Sequence, residues 1–241
     1  MKQAAMAQSP TRSLHGSLLT KTFYAFAALA LLSIAINFGG KWLGRTIALA
    51  GHTEDTTLHE IVIGNNVLSV PANAIRFDKA RHDGVASRLD LYLRWPDMEG
   101  YSQAARDDFN NADGSRRILF LSFEPRMMSR DMSGRFAPIY SQLIEQPGKP
   151  AGGLTFYDFK EKSGYVNEAL AVAARPNQEP FVARCLSGPG AEDSLAPCER
   201  DVHLGEDLSL TYRFPRELLA DWQQLEAAVA AKAAQYLKTG R

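Results

Sequence analysis

The stretch LSLTYRFPRELLADWQQLEAAVAAKAAQY, residues 208–236, decides the fold class of this chain. Its first part, Leu208–Phe214, is typical of a strand, the last one of a meander. Pro215 then opens a helix at a position that tolerates its missing N–H. The apolar residues of this helix fall on one stripe: Leu218, Leu219, Trp222, Leu225, Val229 and Tyr236. The pattern predicts a C-terminal amphipathic helix, ending at Gly240, that covers a sheet.

A series of strands precedes this helix. Residues 89–95 (LDLYLRW) alternate apolar with polar or aromatic side chains, which indicates a half-buried strand, and Arg117–Glu124 (RILFLSFE) is the most apolar strand, expected inside its sheet. The other predicted strands are Glu60–Val70 with a turn at Gly64-Asn65-Asn66, Ala74–Phe77, Leu154–Phe159, Tyr165–Ala173, Pro180–Cys185 and Glu199–Leu204; short helices are predicted at Ser102–Phe109 and 136–143, and a loop at Gln146–Gly153. Consecutive hairpins followed by a covering helix predict an α+β fold with a mainly antiparallel sheet.

The N-terminal part contains an apolar segment, Thr22–Gly40, with 19 uncharged residues between Lys21 and Lys41. A helix needs about 20 such residues to cross the hydrocarbon core of a bilayer. Aromatic residues near both ends suit the membrane–water interfaces. We therefore predict a short cytoplasmic tail at 1–21, a transmembrane helix at 22–40, a juxtamembrane linker at 41–59 and a folded domain at 60–241.

Two other interpretations of this segment remain open. A cleaved signal peptide would use the small-x-small site Ala48-Leu49-Ala50, although Lys41 and Arg45 lie between the apolar segment and that site. A buried core helix is the other, although the segment has no polar face to meet water.

The charges around the segment predict its orientation. Lys2, Arg12 and Lys21 precede it, whereas Lys41 and Arg45 follow it. The flank with more positive charges usually stays in the cytoplasm, and here that is the N-terminal flank, with three basic residues against two. The sequence thus predicts a single-pass protein of a bacterial inner membrane, with the N-terminus in the cytoplasm and the C-terminal domain in the periplasm.

The chain has two cysteines, Cys185 and Cys198, with twelve residues between them. In an anchored periplasmic protein, such a pair is expected to form a disulfide. Two free thiols are an alternative. A metal site with Cys198 and His203 is another, but a structural zinc ion takes four ligands.

The charge balance and the motifs exclude several classes of function. Residues 1–50 contain five Lys or Arg and no acidic residue, so residues 51–241 hold 22 basic and 27 acidic residues, a net charge of −5. An acidic domain argues against nucleic acid as a partner. The sequence lacks a nucleophile elbow, a Ser-x-x-Lys pair, a phosphate-binding loop and a dinucleotide-binding Gly-x-Gly-x-x-Gly. We therefore predict no catalytic residue, no metal site and no cofactor.

The most distinctive loop is WPDMEGY, residues 95–101. Aromatic residues beside a turn can form a partner surface, and its candidates here are Trp95, Asp97, Met98 and Tyr101. Alternatively, Trp95 is the last core residue of its strand, because it continues the face of three leucines.

Three segments of the second half resemble uncharacterised envelope proteins of proteobacteria. They are PFVARCL at Pro180–Leu186, PCERD at Pro197–Asp201 and LSLTYRF at Leu208–Phe214, and the resemblance covers mainly residues 150–225. It implies no known activity. It does imply a periplasmic location and a paired role for the cysteines.

The sequence therefore predicts a non-enzymatic binding or accessory component of an envelope complex. Its partners are the lipid bilayer, through Thr22–Gly40, and another envelope protein. The alternative is an anchored periplasmic hydrolase with an unrecognised active site near residues 95–101 or in the acidic loops. A deep polar pocket would favour the hydrolase, and a flat apolar patch would favour the binding protein.

Overall fold

A computed structural model of the protein describes residues 20–34, 36 and 51–238, in two compact units whose boundary follows Gly51. The first unit contributes helix α1, residues 20–34 and 36. Among the described helices, none combines the length and the hydropathy that a membrane crossing requires. Residues 35 and 37–40 of the predicted span lie outside the described part of the chain, as do the Ala48–Ala50 site and Gly240.

The second unit begins with a small sheet of order β2–β1–β3. Its strands are β1 (Leu58–Ile63), β2 (Asn66–Pro71) and β3 (Gly84–Val85). β1 and β2 form an antiparallel hairpin that turns at Gly64 and Asn65, and β3 pairs parallel with β1. The turn predicted within Glu60–Val70 is confirmed.

The large sheet has eight strands in the order β4–β5–β11–β10–β9–β8–β7–β6, and every neighbouring pair is antiparallel. The strands are β4 (Leu89–Arg94), β5 (Ile118–Pro125), β6 (Lys149–Ala151), β7 (Leu154–Asp158), β8 (Glu168–Ala173), β9 (Phe181–Leu186), β10 (Cys198–Leu204) and β11 (Leu208–Phe214). The predicted meander of the second half is confirmed, and β5 lies inside the sheet.

The described helices of the second unit are short except at the C-terminus. They are α2 (Arg106–Phe109), α3 (Ser141–Leu143) after a π-helical turn at Phe136–Tyr140, α4 (Pro189–Asp193) and α5 (Trp222–Tyr236), and 3-10 turns lie at Ala72–Ala74, Asp78–Ala80, Gln103–Ala105 and Arg216–Asp221. Pro215 precedes the last of these turns, which leads into α5. The α+β fold with a large antiparallel sheet and a C-terminal helix is therefore confirmed.

The main core lies between the large sheet, the β1–β2 hairpin and α5. The leucines of β4 point into it, because Leu89, Leu91 and Leu93 are all on one face of that strand. From α5, Trp222, Leu225 and Val229 enter the same core. Each of them belongs to the predicted stripe, so the periodicity correctly identified the covered face.

The β1–β2 hairpin is connected to the β10–β11 turn by one side chain. The amide of Asn66 donates to the carbonyl oxygen of Glu206 at 2.6 Å and accepts from the N–H of Glu206 at 3.0 Å. Gly205 adopts φ +47°, and a Cβ there would lie 2.2 Å from Oδ1 of Asn66. Both the conformation and the close approach therefore require glycine at this turn.

The large sheet is divided between β9 and β10. These strands pair only at Cys185–Cys198 and at Arg184–Glu199. Further along, the guanidinium of Arg200 donates to the Val182 carbonyl at 2.8 Å and to the hydroxyl of Ser133 at 3.0 Å. A buried arginine, 2% exposed, thus replaces ladder hydrogen bonds where the two halves of the sheet separate.

Two local expectations are wrong. Ala74–Phe77 is not a strand but a 3-10 turn followed by a single bridge from Ile75 to Leu91. The loop predicted at Gln146–Gly153 contains edge strand β6, which pairs with β7. Residues 52–57, in the predicted linker, belong to the second compact unit and hydrogen-bond to its backbone, as between Ala72 N–H and the Thr57 carbonyl.

Candidate functional site

The candidate site lies on the face of the large sheet that points away from the main core. Residues paired across antiparallel strands share a face. One such row crosses seven strands, and it contains Tyr92, Phe120, Arg213, Glu199, Arg184, Leu170 and Tyr157. We call this face the outer face.

The outer face is covered only in part. Over β7–β9, a second apolar cluster buries Leu170, Val172 and Val182 under Met132, Tyr140 and Ile144. Over β4, β5, β11 and β10, three adjacent cavities are open along the same face. They share lining residues and form one continuous groove, which we divide into a central pocket, an aromatic pocket and a methionine pocket.

The central pocket has a volume of about 380 Å³. Its floor comes from β4, β5 and β11 and includes Asp90, Phe120, Ser122, Thr211 and Arg213. One wall is formed by residues 194–196, which follow α4. Leu195 of this wall is 39% exposed, so the groove has an apolar rim.

Arginines form ion pairs with the carboxylates of the central pocket and neutralise their negative charge. Arg88 lies 2.9 Å from Asp90 and 3.6 Å from Glu124, and Arg184 pairs with Glu199. The hydroxyl of Ser122 donates to Asp90 at 2.5 Å. The acidic side chains of this pocket are therefore engaged within the protein, which limits what they offer a ligand.

The aromatic pocket, about 190 Å³, is built around His52. The imidazole stacks on Tyr101 with centroids 4.6 Å apart, and its Nδ1 lies 3.1 Å from the Tyr92 hydroxyl. Phe109 packs edge-on against Tyr92 and Tyr101. Burial lowers the pKa of His52, because the charged imidazolium would lose its hydration in this pocket.

The methionine pocket, about 180 Å³, adjoins the other end of the central pocket. Met127 is 88% exposed and Met128 is 50% exposed, which is unusual for such apolar side chains. On its floor, Asp201 forms an ion pair with Arg135. Burial raises the pKa of Asp201, and the positive charge of Arg135 opposes that effect.

Two of the four residues expected to form a partner surface at residues 95–101 are buried. Met98 and Tyr101 are buried, Trp95 packs partly against the core, and Asp97 is exposed but pairs with Arg94. The reason is a tight turn, in which the N–H of Met98 donates to the Arg94 carbonyl at 2.7 Å. The chain folds back there. The packing of Trp95 favours the alternative interpretation, in which this residue is the last core residue of its strand.

The predicted disulfide is confirmed. The Sγ atoms of Cys185 and Cys198 are bonded, and these cysteines lie opposite one another in β9 and β10. Both are buried, so the bond belongs to the core of the sheet. It also closes the base of the segment 187–197 that supplies one wall of the groove.

The groove is lined by charged, hydroxyl-bearing, aromatic and apolar side chains. Within the described residues, no cluster of three or more His, Cys, Asp or Glu could hold a metal ion. The hydroxyl of Ser122 donates to the carboxylate of Asp90, and the hydroxyl of Ser115 donates to that of Asp108.

The groove residues are not recognisable as a site from the sequence. Arg76, Phe120, Leu195 and Arg213 are far apart in the chain and meet only through strand pairing. One signal was present: Phe120 and Arg213 lie at the alternate positions of β5 and β11 that point away from the core. Which part of that outer face remains uncovered depends on the path of residues 126–145, and no local pattern encodes that path.

No protein-family model matches the chain, and no curated protein matches it closely enough to indicate common descent. Two solved structures have a distant similarity to the structure of this chain. An immunity protein of the Stenotrophomonas maltophilia type IV secretion system has a TM-score of 0.48 and 17% identity, covering 78% of this chain and 96% of that one. The Neisseria meningitidis iron-regulated outer membrane lipoprotein FrpD has a TM-score of 0.44 and 10% identity, covering 76% and 96%.

Proposed function

We propose that this chain is a membrane-anchored periplasmic protein that binds another envelope protein through the groove. In this proposal, Thr22–Gly40 crosses the bacterial inner membrane with the N-terminus in the cytoplasm. The folded domain acts as a non-enzymatic accessory component of an envelope complex, of the kind that the resemblance to proteobacterial envelope proteins suggests.

The observation that carries the proposal is the uneven cover of the outer face. Leu170, near one end of the row, is completely buried, whereas Arg213, near the middle of the row, is exposed. The open half has an apolar rim of Leu195, Met127 and Met128. Exposed apolar side chains around a groove are typical of a protein-binding surface.

The groups in the groove support binding rather than hydrolysis. Asp90 and Glu124 pair with Arg88, and Asp201 pairs with Arg135. A general acid needs a carboxyl group that is free to exchange its proton with a substrate. These carboxylates are instead committed to ion pairs, which suits a preorganised contact surface.

Two features support the location. The apolar side chains of α1 are exposed, with Phe26 at 72% and Leu31 at 68%, and a bilayer would remove them from water. The disulfide between Cys185 and Cys198 suits an oxidising compartment such as the periplasm.

A photo-crosslinking experiment tests the binding function. A photoreactive amino acid replaces Leu195 or Met128 in the full chain, expressed in its native host, and the matched control replaces Val166, which is 74% exposed and does not line the groove. We expect Leu195 and Met128 to give an adduct with one envelope protein, which disappears when the gene of that protein is deleted. No adduct, or the same adduct at Val166, would overturn the proposed function.

A fusion experiment tests the location. A reporter enzyme that is active only in the periplasm is joined after Arg241. We expect an active reporter and a protein that stays in the membrane fraction through a high-salt wash. An active cytoplasmic reporter would reverse the orientation, and a mature protein that begins at Gly51 would show cleavage at Ala48–Ala50.

A further inference from the structure

We propose that the groove recognises an extended acidic segment of the partner protein. An apolar side chain of that segment enters the aromatic pocket, and a neighbouring carboxylate lies between Arg76 and Arg213. This inference rests on the proposed function and specifies the chemistry of its partner.

Arg76 and Arg213 flank Phe120 in the central pocket. The guanidinium of Arg76 stacks on the Phe120 ring, 4.8 Å from its centroid, and Arg213 is the β11 residue paired with Phe120. Both arginines are exposed. Neither forms an ion pair with any carboxylate of the described residues. Two positive charges thus point into a pocket whose own carboxylates are already engaged.

The surroundings make this charge distribution unusual. The domain is acidic overall, with a net charge of −5 over residues 51–241. In the central pocket, Arg88 forms ion pairs with two carboxylates, Asp90 and Glu124, whereas Arg76 and Arg213 form none. The lining of the central pocket has as many carboxylates as arginines, but these two guanidinium groups have no ion-pair partner in the described part of the chain, and they therefore favour a negatively charged partner over a basic one.

The aromatic pocket supplies an apolar subsite next to this charge. It shares Arg76, Phe120 and Leu195 with the central pocket, so the two subsites are contiguous. Its lining includes the rings of Tyr92 and Phe109. In an extended segment, alternate side chains on one face are about 7 Å apart. An apolar and an acidic residue close in sequence can therefore reach both subsites.

The free edge of the sheet does not offer an alternative mode of binding at this place. The N–H of Arg76 donates to the carbonyl of Asp90 at 3.0 Å, and the N–H of Arg94 donates to the carbonyl of Glu99 at 2.8 Å. These contacts occupy the outer edge of β4. We therefore expect side chains on the face of the sheet to bind the partner segment, and we do not expect that segment to add a strand to the edge of the sheet.

Peptide binding tests the chemistry directly. The probes are the fluorescein-labelled peptides GSWSESG, GSWSKSG and GSASESG, in which positions 3 and 5 lie on one face, and their anisotropy is measured with the full chain in detergent micelles. We expect GSWSESG to bind about tenfold more tightly than either of the others, because each control lacks one of the two groups. Equal binding of GSWSESG and GSWSKSG would overturn the inference.

Charge reversal tests the residues. The double variant Arg76→Glu, Arg213→Glu should weaken GSWSESG binding about tenfold, whereas Arg130→Glu, at an exposed arginine that does not line the groove, should change it less than about twofold. Near-ultraviolet circular dichroism checks folding. If the reversed variant does not fold, Arg76→Gln with Arg213→Gln replaces it, and unchanged binding in either folded double variant overturns the inference.

The same variants separate this inference from the proposed function. If the adduct at Leu195 persists in the folded double variant, partner binding stands and the acidic preference fails. If the wild-type chain gives no adduct at Leu195, the proposed function itself fails. Loss of the adduct in the double variant, but not in Arg130→Glu, supports both.

Discussion

Cys185 and Cys198 face one another across β9 and β10, in one of the only two residue pairs that join these strands. Their bond therefore links the half-sheet β4–β5–β11–β10 to the half-sheet β9–β8–β7–β6. Across the division, the side chain of Arg200 donates to the Val182 carbonyl, Arg184 pairs with Glu199, and the Leu186 N–H donates to the Pro197 carbonyl. The disulfide thus lies where the backbone ladder is weakest.

Removing this disulfide should destabilise the domain. The bond closes a segment with a sequence separation of 13 residues, for which the chain-entropy model gives a contribution of about 3 kcal/mol. We expect Cys185→Ala with Cys198→Ala to lower the free energy of unfolding by roughly 2–4 kcal/mol in urea titrations. Mass spectrometry of the unreduced wild-type protein should find both cysteines in one linked peptide. Two freely alkylated thiols in protein isolated from its native compartment would contradict this.

The C-terminal helix should be an integral part of the core. Trp222 packs against Phe181 with ring centroids 4.7 Å apart and is stacked by Arg175 at 5.3 Å. We expect Trp222→Ala to cost on the order of 3–5 kcal/mol of stability, the range for truncating a large buried aromatic residue. The adjacent Gln223→Ala, on the exposed side, should change stability by less than about 0.5 kcal/mol. Similar values for the two variants would disprove the role of the stripe.

The buried ion pair at the division of the sheet should be sensitive to loss of its carboxylate. Glu226 of α5 accepts from Arg200 at 2.9 Å and from Arg175 at 2.6 Å. Because Arg200 cannot reach water, Glu226→Ala should destabilise the domain by about 3 kcal/mol. The exposed Glu217→Ala is the control, with an expected change below about 0.5 kcal/mol. Chemical denaturation distinguishes them, and a Glu226→Ala value as small as the control would refute the prediction.

Acidification should destabilise the domain through His52. Burial lowers the pKa of this imidazole from its ordinary value of 6.5, so the unfolded chain binds the proton first as the pH falls. The contribution of His52 is complete above pH 6.5 and is lost as the pH falls from 6.5 toward the lower pKa of the folded state.

The variant His52→Phe keeps a ring against Tyr101 but has no group to titrate. Its free energy of unfolding should therefore fall less than that of the wild type between pH 7.5 and pH 5. His82→Gln, at an exposed histidine, should keep the full pH dependence. Parallel curves for wild type and His52→Phe would show that another group is responsible.

The sequence predicted most strands because their periodicity reflects burial on one face. LDLYLRW became β4 and Leu208–Phe214 became β11, since alternating side chains have the same spacing as the pleat. The strand prediction for Ala74–Phe77 was wrong because its apolar residues enter the core from a turn. Ala74 and Ile75 are buried there without the hydrogen-bonded ladder of a strand. Composition alone does not distinguish these two ways of burying a short apolar run.

The candidate site was harder to predict than the fold. The sequence predicted a partner surface at residues 95–101 because the aromatic residues of this loop are close in sequence. A tight turn instead places Met98 and Tyr101 in the interior. The groove combines residues from Arg76 to Arg213, and its exposure depends on where the segment 126–145 stops covering the sheet. Such a property follows from tertiary packing and has no local signature.

The segment 187–197 forms a wall of the groove, and the disulfide fixes its two ends to neighbouring strands. Insertions or substitutions between these ends alter the wall around Leu195 without shifting the register of β9 and β10. Loops anchored in this way tolerate changes that a strand would not. The shape of the groove can therefore change through one short, closed segment while the framework stays constant, as hypervariable loops do on a conserved scaffold.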